Sequence, residues 1–203
     1  MVRETELTQH EIRAAVQRGI EQRELCRFYM WYDENYFYYF PLAMSRTLFL
    51  GAAEEDFVLN GYSIRRLADI EQVESKEDKY MQILQDEGVV GSIGPVPEID
   101  LTDWGTALAC LARMGRNIIV EDESDEEAPQ FAIGRIETLY NRFLYFRHFD
   151  ANGVWESEPM KIPYDTITSV TFGSRYVDVF SKHLPPLPEN FGKQMHVIKF
   201  GEQ

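Results

Sequence analysis

The sequence predicts a mainly β protein of the α+β kind: two tandem five-stranded small barrels, each with an N-terminal helix and a short C-terminal helix. Three observations predict it. Thirteen Phe and eleven Tyr in 203 residues favour strands over a helical bundle. Apolar alternation is broken every few residues by turn signals, so the strands are short. The order of elements in residues 1–92 returns in residues 93–203. Short strands of this kind do not make a large open sheet, and bending them into a barrel pairs their edges and hides their aromatics.

In the first half, Thr8-x-x-Glu11 fits a capping box, and Ile12, Val16 and Ile20 recur every four residues. This predicts a helix from about 9 to 24. The aromatic stretch after it predicts strands over 26–32, 36–43 and 46–52, with turns near Asp33-Glu34 and Met44-Ser45. Asn60-Gly61-Tyr62 reads as a turn. A strand, a turn at Ala68-Asp69 and a second short strand follow. Ser75-x-x-Asp78 then caps a short helix with Tyr80, Ile83 and Leu84 on one side, and Gly88 is placed to end it. Residues 86–102 hold three Gly and two Pro and form the linker between a module at 1–92 and a module with a C-terminal tail at 93–203.

The second half opens with a helix capped at Thr102 or Asp103, with a stripe of Trp104, Leu108 and Leu111 and a stop at Gly115. Asn117–Asp122 is a strand. The run from Glu121 to Glu127 has six acidic residues in seven and reads as an exposed loop. Two strands flank a turn at Asn141, and Asn152-Gly153 marks another turn. Lys161–Tyr164 and Ser169–Phe172 are short strands around Asp165-Thr166. Ser174 caps a last helix that Pro185-Pro186 stops. The tail at 194–200 alternates like a strand that adds to a sheet edge.

Side chains repeat as well as elements. Leu67, Ile70 and Val73 match Tyr164, Ile167 and Val170, each 97 positions on (167 − 70). Residues 46–50 match 142–146, and Tyr80 matches Tyr176, both 96 on (176 − 80). Drifting offsets are what small loop insertions produce, and duplication explains the pattern better than shared alternation does.

A helix, five bent strands and Ile162-Pro163-Tyr164-x-x-Ile167-x-x-Val170 resemble the Sm-like fold. Together, residues 60–74 and 162–182 resemble a group of uncharacterised bacterial proteins carrying two such modules. The resemblance covers most of residues 8–184 and rests on hydrophobic spacing, so it implies a fold more than an activity. RNA-binding Sm proteins imply ring assembly and bases held by loop residues near an Arg or Lys. The loop Gly173-Ser174-Arg175 stands where such a residue is expected, and its first-half counterpart, Ser75-Lys76-Glu77, is unlike it.

Charge narrows the functions. The net charge is −14, and residues 1–92 and 93–203 each carry 10 basic and 17 acidic residues. That disfavours general polyanion binding, which needs cations to displace counterions. Cys26 and Cys110 do not make a disulfide framework. No opening segment has the pattern of a signal peptide and no run is long enough to span a membrane, so the expected location is cytoplasmic.

Candidate sites are few. Arg65, Arg66 and Arg175, with Tyr62 nearby, are the candidate nucleic-acid contacts. His148 and Asp150, two residues apart, are conceivable as an acid–base pair but read better as a polar strand end. His10, His148, His183 and His196 lack ligand spacing, and no nucleotide or cofactor motif is present, so neither metal nor cofactor is expected. Pro185–Pro188 is a helix stop and rigid spacer. The expected function is a non-enzymatic interaction or scaffold protein, using barrel edges or the groove between modules. Its partner is a protein, including further copies of itself. RNA binding of the Sm type is the alternative.

Overall fold

The computed structural model describes residues 7–125 and 127–192. The strand expected at 194–200 lies outside them. Helix α1 is Gln9–Gln22, and Thr8 and Glu11 form the expected capping box. Five strands follow: β1 (Cys26–Met30), β2 (Tyr36–Met44), β3 (Leu48–Glu55), β4 (Val58–Arg66) and β5 (Ile70–Ser75). Helix α2 is Lys79–Asp86, and its N-cap is the Asp78 side chain rather than Ser75, which ends β5. Helix α3 is Trp104–Met114, started by an Asp103–Thr106 capping box and stopped at the left-handed Gly115. The second set is β6 (Ile118–Asp122), β7 (Gln130–Leu139), β8 (Phe143–His148), β9 (Met160–Pro163) and β10 (Ser169–Phe172). Helix α4, Arg175–His183, starts at the Ser174 cap.

All ten strands join one antiparallel sheet in the order β5-β1-β2-β3-β4-β10-β6-β7-β8-β9. Among the described residues the sheet is open, with β5 and β9 each paired on one side. The two separately closed barrels expected from the sequence are therefore not what the strands form. The physical reason is at β4, whose outer edge pairs with β10 of the second half rather than with its own β5. An edge left bare would expose a row of unpaired peptide groups, and a partner strand removes that cost.

Local geometry returns between the halves. Ser45 N donates to Leu48 O and Leu67 N to Thr47 O, and Ile70 N donates to Leu67 O. In the second half Tyr140 N donates to Phe143 O, Tyr164 N to Arg142 O and Ile167 N to Tyr164 O. The ladder pairs Leu48↔Arg66, Phe49↔Arg65 and Leu50↔Ile64 correspond to Phe143↔Pro163, Leu144↔Ile162 and Tyr145↔Lys161. The β3-to-β8 spacing is thus 95 (143 − 48), one less than the side-chain pattern at 46–50 predicts, while β4-to-β9 keeps 97 (163 − 66).

Under α1, the residues Ile12, Val16, Phe28, Phe49, Leu67, Ile70 and Val73 share one core. Under α3, Leu108, Leu111, Leu144, Phe146, Ile167 and Val170 share another. Each fully buried side chain of this size contributes roughly 1.5–3 kcal/mol. Leu48, Leu50 and Ile64 belong to this second cluster, so the back of β3 and β4 is buried against the second half. Both cysteines are buried and free, and burial pushes the Cys26 thiol up to about 12. Among the described residues no helix is long and apolar enough to cross a membrane.

Two sequence expectations change. Asn60-Gly61-Tyr62 is not a turn but lies inside β4. The turn sits earlier, at Asp56 and Phe57, both with positive φ. Gly61 has φ +79°, and a Cβ there would come within 2.5 Å of Ser174 N. Glycine is thus required where β4 passes the β10–α4 turn. The acidic run is not all exposed loop either: β6 extends through Asp122, and Glu121 and Glu123 turn back onto the sheet. Gly61→Ala is expected to cost roughly 3 kcal/mol, from backbone strain and the clash together. Chemical denaturation checks it, with Gly88→Ala, at an equally left-handed glycine with no atom within 4 Å, as the control without the clash.

Candidate functional site

The joint between the halves is built on four residue pairs: Ser169↔Arg65, Val170↔Ile64, Thr171↔Ser63 and Phe172↔Tyr62. Val170 and Ile64 lie side by side in the α3 core, and the rings of Tyr62 and Phe172 stack at 5.3 Å. On the opposite face of β4, Arg65 is buried. Its Nε donates to the Tyr39 hydroxyl at 2.9 Å, and its Nη1 donates to Tyr32 at 3.0 Å and to Glu123 at 2.7 Å. Its guanidinium lies 4.1 Å from the centre of the Phe37 ring. Burial opposes its charge, but Tyr39, Glu123 and Tyr32 outweigh that and hold its pKa well above the ordinary value. Thr168 ties the same carboxylate down, donating to Glu123 Oε2 at 2.9 Å and accepting from Glu123 N. This is an ion pair that staples the 121–124 segment to β4.

The three arginines expected to contact nucleic acid are not assembled into one patch. Arg65 is enclosed. Arg66, on the other face, pairs with Asp69 at 2.6 Å and donates to Asp165 O at 2.9 Å. Arg175 begins α4 beside Asn60, at the far end of β4 from Arg65. Five residues of strand separate those ends by about 17 Å. Two of the three guanidiniums are thus already neutralised by carboxylates.

A broad concave surface lies at the other end of the sheet. It is a recess of about 1030 Å³ between the β7–β8 and β9–β10 turns, walled by Tyr140, Phe143, Pro163 and Tyr164 and rimmed by Arg142, Lys161 and Asp165. Tyr140 and Phe143 stack at 4.6 Å, and Tyr145 meets both edge-on. Lys161 Nζ sits 4.3 Å from the Phe143 ring centre. The register explains the arrangement. Phe143↔Pro163 and Tyr145↔Lys161 share the outer face of β8 and β9, while Leu144↔Ile162 and Phe146↔Met160 share the core face. Burial raises the Tyr164 pKa. The sequence signal for this recess was the alternation Phe143, Tyr145 against Leu144, Phe146.

His148 and Asp150 do not form an acid–base pair. The Asp150 carboxylate accepts from Asn152 N and Val154 N, both at 2.9 Å, and closes the 150–154 turn. Those bonds, Val154 foremost, lower its pKa, and no hydrogen bond joins it to His148. Among the described residues no group of three metal-binding side chains converges. Pro185 O accepts from Trp155 Nε1 at 3.0 Å and Asn190 Nδ2 donates to Ser157 O, so the segment after α4 is packed along the 155–158 loop.

No family model, curated protein or solved structure matches the chain.

Two tests follow from the joint. Arg65→Met strips Glu123 of its cation while keeping the side-chain volume. Breaking a buried pair costs about 3–5 kcal/mol. Glu123 keeps 22% of its side-chain exposure, so about 2–3 kcal/mol is expected by urea unfolding. Glu121 accepts from Ser169 at 2.6 Å, and burial raises its pKa above the ordinary 4.5. The folded state then holds the proton more tightly than the unfolded chain. The group's favourable contribution is complete below its ordinary pKa and is lost as pH rises through the folded value. Glu121→Gln is therefore expected to raise Tm near pH 7 and to change it little near pH 4, measured by thermal unfolding at both.

Proposed function

We propose that the chain is a cytoplasmic, non-enzymatic interaction or scaffold protein, built from two duplicated Sm-like small-barrel modules and binding a protein partner through the outer face of β8 and β9. In this reading each five-strand unit is a bent barrel left open between its fourth and fifth strands. The repeated strand order and the three repeated turn hydrogen bonds support the duplication. One observation carries the function. The back of β3 and β4 is buried by a neighbouring unit, whereas the corresponding face of β8 and β9 holds aromatic side chains around an open recess. Apolar surface of this kind marks an interaction site.

RNA binding is the second reading, and the recess favours it more than the arginines do. Stacked rings beside Lys161 and Arg142 suit an unpaired base next to a phosphate. The carboxylates that occupy Arg65 and Arg66, and the net charge of −14, weigh the other way. Two substitutions separate the readings. Affinity capture with the full chain is expected to retain a protein that Phe143→Glu releases, with unchanged melting of the bait. Retention of single-stranded RNA at low salt, lost in Lys161→Ala, would move the function to RNA. Capture of neither, together with turnover of a small metabolite by the pure protein, overturns the proposal.

A further inference from the structure

From α4 onward the chain follows one face of β8. Phe143, Tyr145 and Arg147 alternate onto that face, opposite the core side chains Leu144 and Phe146. Phe149, just beyond the strand, continues the alternation. Helix α4 covers this end of the row: Val177 and Phe180 pack on Phe149, and the Phe149 and Phe180 rings lie 5.6 Å apart. The segment after α4 covers the next position. Pro185 O accepts from Trp155 Nε1, Asn190 Nδ2 donates to Ser157 O, and Gly192 N donates to Glu137 at 3.0 Å. Glu137 is the partner of Arg147, which also donates to Ser157 O and is wholly buried. The row then reaches Tyr145 and Phe143. Phe143 walls the open recess, and Tyr145 meets it edge-on.

Eleven residues follow Gly192 in the sequence (203 − 192), and the stretch 195–200 holds four apolar side chains: Met195, Val197, Ile198 and Phe200. Gly192 is tied beside Arg147, and Phe143 lies four strand residues further along, about 13 Å away. About four extended residues cross that distance, which brings the apolar stretch to the recess with chain to spare. We infer that residues 195–200 dock in this recess, on the face of the sheet rather than at its edge, and that a protein partner binds by displacing them. Met195, Val197, Ile198 and Phe200 supply the apolar contacts to Tyr145, Phe143 and Tyr140. The displacement rests on the functional reading above; the docking does not.

The tether identifies this occupant. A segment that leaves the fold beside Tyr145 meets the recess at an effective concentration of roughly mM, far above that of a free partner in solution. A contact too weak to hold a separate peptide therefore suffices for this one. The walls are Tyr140, Phe143, Pro163 and Tyr164, and the rim carries both signs of charge, Arg142 and Lys161 with Asp165. Burial of apolar surface is thus the main attraction, and the sequence after Gly192 supplies it. The same tether makes the segment a regulator. An external protein must bring more apolar contact than residues 195–200 do, so the recess is closed to indiscriminate hydrophobic association and open to a partner that fits it.

Paramagnetic broadening in the full chain tests the docking. A nitroxide is attached at Gly201→Cys, just past the apolar stretch; Cys26 and Cys110 are buried. Resonances of residues 140–145 and 161–165 are expected to broaden at every protein concentration, and the effect is expected to vanish in Val197→Glu and in Phe200→Glu. A label that broadens no local set of resonances overturns the inference. So does broadening in a mixture of labelled chains with unlabelled, isotope-enriched ones, which reports the segment of another copy. Affinity capture reads the displacement. Phe200→Glu is expected to retain several-fold more of the protein that Phe143→Glu releases, and equal retention by Phe200→Glu and the parent chain overturns the displacement. If the label reports docking and no variant captures a protein, the docking stands and the functional reading falls. If a protein is captured through Phe143 and the label reports no docking, the functional reading stands and this inference falls.

Discussion

The pairing of β4 with β10 is the constraint on which the rest of this molecule depends. It is made of backbone hydrogen bonds between segments about a hundred residues apart in sequence. Without it, each half would end in an exposed strand edge and an uncovered apolar face. With it, Ile64, Leu48 and Leu50 of one half become core residues of the other. The close passage of Gly61 beside the β10–α4 turn, the stacking of Tyr62 on Phe172 and the enclosure of Arg65 all follow from that one junction.

The junction also sets where charge sits. Arg65 faces the α1 side of the sheet, where Tyr32, Tyr39, Phe37 and Glu123 together hold a guanidinium that burial alone would disfavour. The second half has its own enclosed arginine. Arg147 pairs with Glu137 at 2.8 Å, both almost wholly buried, and donates to Glu156 O. Gly192 N donates to the same Glu137, so this pair fixes the returning chain as well as the sheet. Neither arginine is available to a ligand. Each serves instead to select one arrangement of segments, since any other would strand a buried charge.

Much of the fold was legible in the sequence because local chemistry wrote it. Thr8, Asp103 and Ser174 cap helices where their spacing said they would. Ser169–Phe172 is a strand at the predicted bounds. What the sequence could not show was which edge each strand meets. Val170 reads the same whether its neighbour is Ile167's own barrel or Ile64 of the other half, because both are simply apolar contacts. Asn60-Gly61-Tyr62 misled for a related reason. A glycine with positive φ signals a turn when local and a close backbone approach when distant, and the distinction is tertiary. Arg65 and Arg66 looked like a cationic pair, yet adjacent strand residues point to opposite faces, and only the structure shows Glu123 and Asp69 waiting on each side. The recess at Phe143 and Tyr145 was visible as alternation, but its openness depends on nothing packing there.

The junction has a consequence in time as well as in space. A ribosome delivers β4 before β10, and roughly a hundred residues of synthesis at about 5–20 residues per second leave β4 without its partner for about 5–20 seconds. During that interval the first five strands can assemble, since all their own pairings are available, but the second set cannot be completed without its last strand. The nascent chain therefore carries an unpaired edge next to the apolar side chains of Leu48, Leu50 and Ile64. Asn60, Ser63, Arg65 and Arg66 along that strand make the waiting edge more polar than a buried joint requires. Polar residues on a strand that ends up enclosed make sense as protection during the seconds before it is enclosed.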